Sequence, residues 1–111
     1  MALPEKGRLL KIFIGESDRH EGVPLYQWIV QKARQEGLAG ATVLRGILGY
    51  GAHSRIHTTK ILRLSEDLPV VIEIIDTPEK IAAFLSFIDQ VVKEGLTTLE
   101  DVEITFYRGM G

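Results

Sequence analysis

The most informative stretch of this chain is Gly40-Ala-Thr-Val-Leu-Arg-Gly-Ile-Leu-Gly-Tyr-Gly-Ala-His-Ser54. It begins with residues that favour a β-strand and becomes rich in glycine toward its end. Glycine weakens a strand unless a second backbone or a ligand must come close. Cationic or ionisable side chains lie in it or just beyond it: Arg45, His53, Arg55, His57, Lys60 and Arg63. Because bare backbone N–H groups beside positive charge can hold a phosphate, the stretch predicts a strand that leads into an anion-binding loop.

The composition sets limits on the class of protein. A length of 111 residues predicts a single domain, residues 1–111, and a net charge of −2 argues against indiscriminate binding to nucleic acid or anionic lipid. The absence of cysteine excludes disulfides, thiol catalysis and thiolate metal sites. No apolar run reaches the roughly 20 residues of a membrane span, and the first residues lack the apolar core of a signal peptide. We therefore expect a cytoplasmic protein that does not insert into membranes. Missing asparagine and cysteine, with many charged residues, indicate a thermophile.

The order of predicted elements is β-α-β-β-α-β. Strands are predicted over residues 8–14, 41–50, 69–75 and 99–107, with a further short strand over 60–64. A first helix begins near Pro24 and ends at Gly37, and a second begins at Thr77 as N-cap, with Pro78 following, and ends at Gly95. This order predicts an α+β, ferredoxin-like sandwich, in which two helices cover one face of a four-stranded antiparallel sheet.

The sheet face without helices is predicted to be apolar. The segment 70–75 carries apolar side chains on both faces, with Glu73 as the sole interruption, and Leu9 and Phe13 lie opposite Ile12 and Ile14. An apolar face of this size usually marks an interface. We therefore expect the uncovered face to be buried in a homo-oligomer.

A family resemblance rests on particular residues. Gly40-Ala-Thr-Val43 followed by Gly49-Tyr-Gly51, on the second strand of such a domain, resembles the PII signalling proteins. The whole chain resembles the PII-like branch catalogued as domain of unknown function 190, through these segments: Gly15-Glu-Ser-Asp18, Pro24-Leu-Tyr26, Gly37-Leu-Ala-Gly-Ala-Thr-Val-Leu-Arg-Gly46, Leu68-Pro-Val70 and Ile75-Asp76.

The resemblance implies a PII-like homotrimer with the sheets facing inward and a ligand site in each cleft between subunits. It implies a non-enzymatic sensor that binds a small anionic ligand, with AMP or ADP as the first candidates and no other cofactor. Ligand binding would order residues 52–68, and a partner protein would respond. The common association of this branch with a fluoride-channel gene makes a membrane transporter or channel a candidate partner.

Several PII features are missing. The gap between the two glycine clusters is one residue longer here, and the phosphate-binding Thr-Gly-x-x-Gly-Asp-Gly-Lys segment before the last strand is absent. The Arg-x-Arg after that strand is also absent, although Arg108 lies nearby, and the 52–68 segment has no tyrosine. PII-type binding of ATP with 2-oxoglutarate is therefore not expected.

The predicted ligand-binding residues are drawn from both kinds of argument: Gly15, Glu16, Thr42, Arg45, Gly46, Gly49, Tyr50, Gly51, Arg55 and Arg108. Two interpretations of Arg45 stay open, a bidentate contact to a phosphate in the cleft and a pair with a carboxylate across a subunit interface. No metal site and no catalytic residue are predicted.

RNA binding through the open sheet face is the alternative function. Lys11-Ile-Phe-Ile-Gly15 resembles the first-strand aromatic motif of RNA-recognition domains, but residues 70–76 supply no second aromatic motif. An acylphosphatase-like enzyme would need an asparagine to position water, and this chain has none.

Overall fold

The computed structural model describes residues 5–50 and 67–109. The strands are β1 (Lys6–Gly15), β2 (Arg19–His20), β3 (Val23–Pro24), β4 (Thr42–Arg45), β5 (Pro69–Asp76) and β6 (Leu96–Glu103). The helices are α1 (Leu25–Gln35) and α2 (Pro78–Val91). Within the described ranges, neither helix is both long and apolar enough to cross a membrane.

The main sheet has the strand order β4-β5-β1-β6, and all of its pairs are antiparallel. The two central strands, β1 and β5, pair along eight residues, from Arg8 opposite Asp76 to Gly15 opposite Pro69. The edge strand β4 pairs with β5 over four residues only. The predicted ferredoxin-like fold is thus confirmed.

The core lies between the sheet and the two helices. Alternation along β1 and β5 buries Leu10, Ile12 and Ile14 beside Val70, Ile72 and Ile74. Each helix packs on this face through an apolar stripe at helical spacing. The stripe of α1 is Leu25, Ile29 and Ala33, and the stripe of α2 is Ile81, Phe84 and Ile88. Burying these stripes against the strands supplies most of the apolar stabilisation of the fold.

The beginning of α2 follows the prediction. The Thr77 side chain accepts a hydrogen bond from the Lys80 backbone N–H at 3.2 Å, Pro78 is the first helical residue, and Glu79 lies in the first turn. These contacts satisfy one of the unpaired N–H groups at the helix start and favour its dipole.

The opposite face of the sheet carries an apolar strip. The strand register aligns Leu44, Val71, Phe13 and Leu96 across all four strands. Leu44 is 49 % exposed and Leu96 is 58 % exposed. A polar row follows it, composed of Thr42, Glu73, Lys11 and Thr98. The predicted apolar character of this face is therefore present, in this strip and in the pair Leu9 and Ile75 beyond the polar row.

Two of the predicted strands had wrong boundaries. The second strand was expected over 41–50 but ends at Arg45, since Gly46 leaves the ladder after a last contact with Pro69. The last strand was expected over 99–107 but spans Leu96–Glu103, because its pairing with β1 ends at Lys6 opposite Glu103.

The second helix was expected to continue to Gly95, but α2 ends at Val91. A small hairpin, in which β2 pairs with β3, lies between β1 and α1, where no strand was predicted. Pro24 belongs to that hairpin and is the N-cap of α1 rather than a residue of its first turn. The short strand expected over 60–64 lies outside the described residues.

Candidate functional site

A groove of about 420 Å³ opens along the helix-free face of the sheet. Its floor includes Thr42, Glu73 and Ile75, and one wall is the chain segment 104–107 that follows β6. The opposite wall is the segment 39–41 that precedes β4. The volume is within the range of roughly 300–1,000 Å³ that is usual for small-molecule sites.

The groove offers polar acceptors beside aromatic surface. Glu73 contributes a half-buried carboxylate and Thr42 an exposed hydroxyl. Phe106 at the wall is 66 % exposed, and the Arg108 guanidinium carbon lies 4.2 Å from the centre of its ring. A flat heterocycle with amino or hydroxyl donors suits such a set, because the ring can stack and its donors can meet the acceptors.

The wall formed by segment 39–41 is fixed from two sides. The Ala39 backbone N–H donates to Asp76 Oδ2 at 2.8 Å, and the Tyr107 hydroxyl donates to the Ala39 carbonyl at 2.9 Å. Lys80 Nζ donates to the Gly37 carbonyl at 3.1 Å just before this wall. Because the side chains of Asp76, at the end of β5, and Tyr107, after β6, both bond Ala39, the backbone of this wall is positioned independently of any ligand.

The Asp76 carboxylate is the fully buried polar group on which this arrangement depends. Besides Ala39, it accepts from the Thr77 backbone N–H at 2.6 Å through Oδ1. A buried carboxylate is costly unless hydrogen bonds compensate it, and these two donors provide that compensation. Asp76 therefore stabilises the turn before α2 and also makes a long-range contact with Ala39.

The other end of β4 holds the predicted anion-binding residues. Arg45 Nη2 forms an ion pair with Glu16 Oε2, which lies just after β1. The Gly46 backbone N–H donates to the Pro69 carbonyl at 2.7 Å, and the Glu16 backbone N–H donates to the Leu68 carbonyl at 2.8 Å. The ion pair therefore crosses above the first residues of β5, which lies between β4 and β1 in the sheet.

Glycine is required at Gly46 by close packing. A Cβ at this position would lie 2.8 Å from Pro69 Cγ and 3.3 Å from the Pro69 carbonyl oxygen. A Cβ at Gly49 would lie 3.0 Å from the same Pro69 Cγ. The predicted close approach of a second backbone is found at Gly46, near the Pro69 carbonyl oxygen, whereas at Gly49 the group that approaches is the Pro69 ring.

The turn after β1 is held by carboxylates. The Gly15 backbone N–H donates to Asp18 Oδ2 at 3.0 Å, and the Ser17 backbone N–H donates to Asp67 Oδ1 at 3.0 Å. These bonds fix the turn from which Glu16 projects toward Arg45. The turn thus presents Glu16 from a defined backbone.

The structure brings the predicted site residues together in two groups. Gly15, Glu16, Arg45, Gly46 and Gly49 lie at the end of β4, whereas Thr42 and Arg108 belong to the groove region at its beginning. Tyr50 is the last described residue before the gap and is 71 % exposed. Gly51 and Arg55 lie outside the described residues, as do His53, His57, Lys60 and Arg63.

The two groups do not form one pocket within a chain. Thr42 and Arg45 are three residues apart, roughly 10 Å along a strand, and alternation places them on opposite faces of β4. Arg45 was expected to meet a phosphate or a carboxylate of another subunit. Within the chain, Arg45 forms an ion pair with Glu16.

Sequence reasoning did not single out four residues of the groove region: Glu73, Ile75, Phe106 and Tyr107. Glu73 was noted only as an interruption in a strand, and Ile75 only as part of that strand and of a family segment, although a lone carboxylate in an apolar run was a signal for a site. Phe106 and Tyr107 were assigned to the last strand, and their place at the groove depends on the chain leaving the sheet at Glu103.

Solved structures that share this fold include three of CPII from Thiomonas intermedia K12, which is described as a nitrogen regulatory PII-like protein. The structure with ADP, AMP and acetate has a TM-score of 0.65 at 14% identity, and covers 89% of this chain and 88% of that one. The structure with ADP and bicarbonate has a TM-score of 0.62 at 16% identity, and covers 92% and 95%. This chain therefore has the ferredoxin-like fold of PII-like proteins.

The family is shown by sequence. Residues 7–104 match the model of DUF190, described as Uncharacterized ACR, COG1993, and the chain belongs to this family. A UPF0166 protein of Aquifex aeolicus (strain VF5) is 46% identical over 101 residues, covering 91% of this chain and 95% of the relative. The UPF0166 protein MJ1524 of Methanocaldococcus jannaschii is 39% identical over 105 residues, covering 94% of each.

Proposed function

We propose that this protein is a PII-like sensor that binds an adenine nucleotide, AMP or ADP, in clefts between the subunits of a homotrimer. The groove between Thr42 and Phe106 on the open sheet face carries the proposal. Its exposed aromatic ring and its acceptors, Thr42 and Glu73, are suited to a base and a ribose.

The phosphate of the ligand would meet the other end of β4. The groove includes two carboxylates, Glu73 and Glu103, which disfavour an anion there. Arg45 supplies a guanidinium at the opposite end of the strand and is 63 % exposed. A nucleotide would thus place its base in the groove and its phosphate against Arg45.

Two copies of the chain would bring the groove and Arg45 to the same ligand. Within one chain, Thr42 of the groove and Arg45 lie on opposite faces of β4, so one subunit would supply the groove and a neighbouring subunit would supply Arg45. The apolar strip Leu44, Val71, Phe13 and Leu96 gives the subunits a surface on which to associate. The binding of ADP and AMP by the structural neighbour CPII supports the choice of ligand.

The protein would bind this ligand without transforming it. The signal would pass through the segment 52–68 to a partner protein. Our candidate for this partner is a membrane transporter or channel. Most of that segment lies outside the described residues, so this step rests on the family resemblance.

The test is calorimetric titration of the folded protein with AMP, ADP, ATP and cyclic AMP, with the particle mass measured in parallel by light scattering. We expect heat from AMP or ADP and a trimer mass at micromolar concentration. Arg45→Ala should weaken nucleotide binding by about 1.5–3 kcal/mol, the usual worth of a hydrogen bond to a charged group. A trimer that gives no heat with any nucleotide would remove the proposal.

Phe106→Ala provides an independent arm. Loss of base stacking should weaken the binding of AMP and of adenosine by similar factors, whereas Arg45→Ala should weaken the binding of AMP alone. Lys93→Ala is the matched control for Arg45, since it removes a positive charge from an exposed position after α2. Equal effects of Arg45→Ala on AMP and adenosine would contradict the assignment of the phosphate.

A further inference from the structure

The ion pair between Arg45 and Glu16 has a consequence for the charge of the ligand. The two side chains differ in exposure: Glu16 is 21 % exposed and Arg45 is 63 % exposed. The carboxylate is thus the more sheltered partner, and part of the guanidinium remains open to solvent. A guanidinium has five N–H donors, so an anion can approach Arg45 while Glu16 is still near.

The position of Glu16 is set by its backbone. Its N–H is bonded to the Leu68 carbonyl, and the adjacent turn is held by Asp18 and Asp67. These bonds do not involve the Glu16 side chain, which leaves the carboxylate free to change its partner without unfolding the turn.

From this geometry we infer that Glu16 is an internal competitor for Arg45 and selects ligands by their charge at this point. An incoming anion must displace the Glu16 carboxylate or lie beside it. In both cases, the negative charge of Glu16 opposes the anion, and the opposition grows with the charge of the anion. The inference rests on the proposed function in one respect, that the end of β4 receives an anion.

The size of the effect follows from Coulomb's law. An anion that shares the guanidinium would lie about 6 Å from the Glu16 carboxylate. In water, this repulsion lowers the binding affinity of a monoanion about threefold and that of a dianion about tenfold. Removing the charge of Glu16 should therefore raise the affinity for dianions more than the affinity for monoanions. Added salt should reduce both effects, because exposed charges are screened.

The experiment compares Glu16→Gln with wild type, using sulfate as dianion and formate as monoanion at constant low ionic strength. Binding is followed by the NMR signal of the Arg45 Nε–H group, which is assigned by its loss in Arg45→Ala. We expect sulfate to bind about tenfold and formate about threefold more tightly to Glu16→Gln. Glu21→Gln removes an equal charge from an exposed carboxylate nearby and should change neither affinity.

A double-substitution cycle separates the competitor role from a general change in charge. When Arg45 is already alanine, Glu16→Gln should leave the sulfate affinity measured by calorimetry unchanged. Equal gains with and without Arg45 would overturn the inference, as would unchanged affinities in Glu16→Gln or a failure of either anion to move the Arg45 signal.

Nucleotide titrations distinguish this inference from the proposed function. If AMP and ADP do not bind but sulfate binding at Arg45 responds to Glu16→Gln, the nucleotide proposal fails and the competitor role stands. If nucleotides bind and Glu16→Gln leaves both the nucleotide and the sulfate affinities unchanged, the competitor role fails alone.

Discussion

Replacing Leu44 with lysine tests whether the apolar strip joins the subunits. Leu44 lies on the edge strand β4 at one end of the strip, and 49 % of it is exposed in the single chain. Complete burial of a leucine contributes roughly 1.5–3 kcal/mol, so covering the exposed half contributes about 1 kcal/mol per subunit. Three copies lose about 3 kcal/mol, which lowers the association constant at least a hundredfold.

Lysine adds a further cost, because its ammonium group must leave water when the faces meet. We expect Leu44→Lys to be monomeric at micromolar concentrations, at which we expect the wild type to be a trimer. Sedimentation equilibrium over a hundredfold range of concentration measures this directly, and circular dichroism checks that the variant remains folded.

Leu99→Lys is the matched control. Leu99 is 41 % exposed, but the register with Leu10 places it on the helix-covered face of the sheet. The same substitution there should leave the particle mass unchanged. The strip has no role in assembly if Leu44→Lys retains the trimer mass at every concentration, or if both variants dissociate equally.

The remaining predictions concern stability and are measured by chemical denaturation. Asp76→Ala leaves two backbone N–H groups without their acceptor and should cost about 2–4 kcal/mol, whereas an unchanged midpoint would show that water replaces the carboxylate. Gly46→Ala should cost about 1–3 kcal/mol because its Cβ would lie 2.8 Å from Pro69 Cγ. Gly40→Ala, where a Cβ meets nothing within 4 Å, is its control and should be close to neutral. Thr77→Ala should cost about 1 kcal/mol through the lost N-cap, and Thr77→Ser should restore most of it.

The parts of the fold that were predicted from the sequence are those with local or periodic signals. The apolar stripe of α1 follows from spacing alone, and the start of α2 follows from a threonine and a proline in adjacent positions. Strand β5 was predicted within one residue, since its apolar run ends at Asp76. Each of these signals depends on a few neighbouring residues, which a sequence displays directly.

The boundaries that failed depend on pairing between distant segments. Residues 46–50 include apolar side chains suited to a strand, yet the ladder stops at Arg45. The last strand begins at Leu96 because Phe13 lies opposite it, and ends at Glu103 because β1 begins at Lys6. Propensity cannot supply these limits, since they are set by the length of the partner strand.

The arrangement of the candidate site has no local signal in the sequence. Arg45, Glu16, Gly46 and Gly49 were all named, but their meeting at one end of β4, across β5, depends on the register of distant strands. Tyr107 and Ala39 are 68 residues apart and meet through a single hydrogen bond, which no sequence spacing reveals.

The division of the site has a physical reason that follows from the sheet. Side chains alternate along a strand, so a four-residue edge strand presents its first and last residues on opposite faces. A ligand that contacts both Thr42 and Arg45 therefore needs two different copies of β4. The apolar strip lies on the same face as Thr42, so assembly through it would bring a neighbour toward the groove. Binding and association would then depend on each other, and a nucleotide that fits the cleft should raise the stability of the trimer with the logarithm of its concentration above Kd.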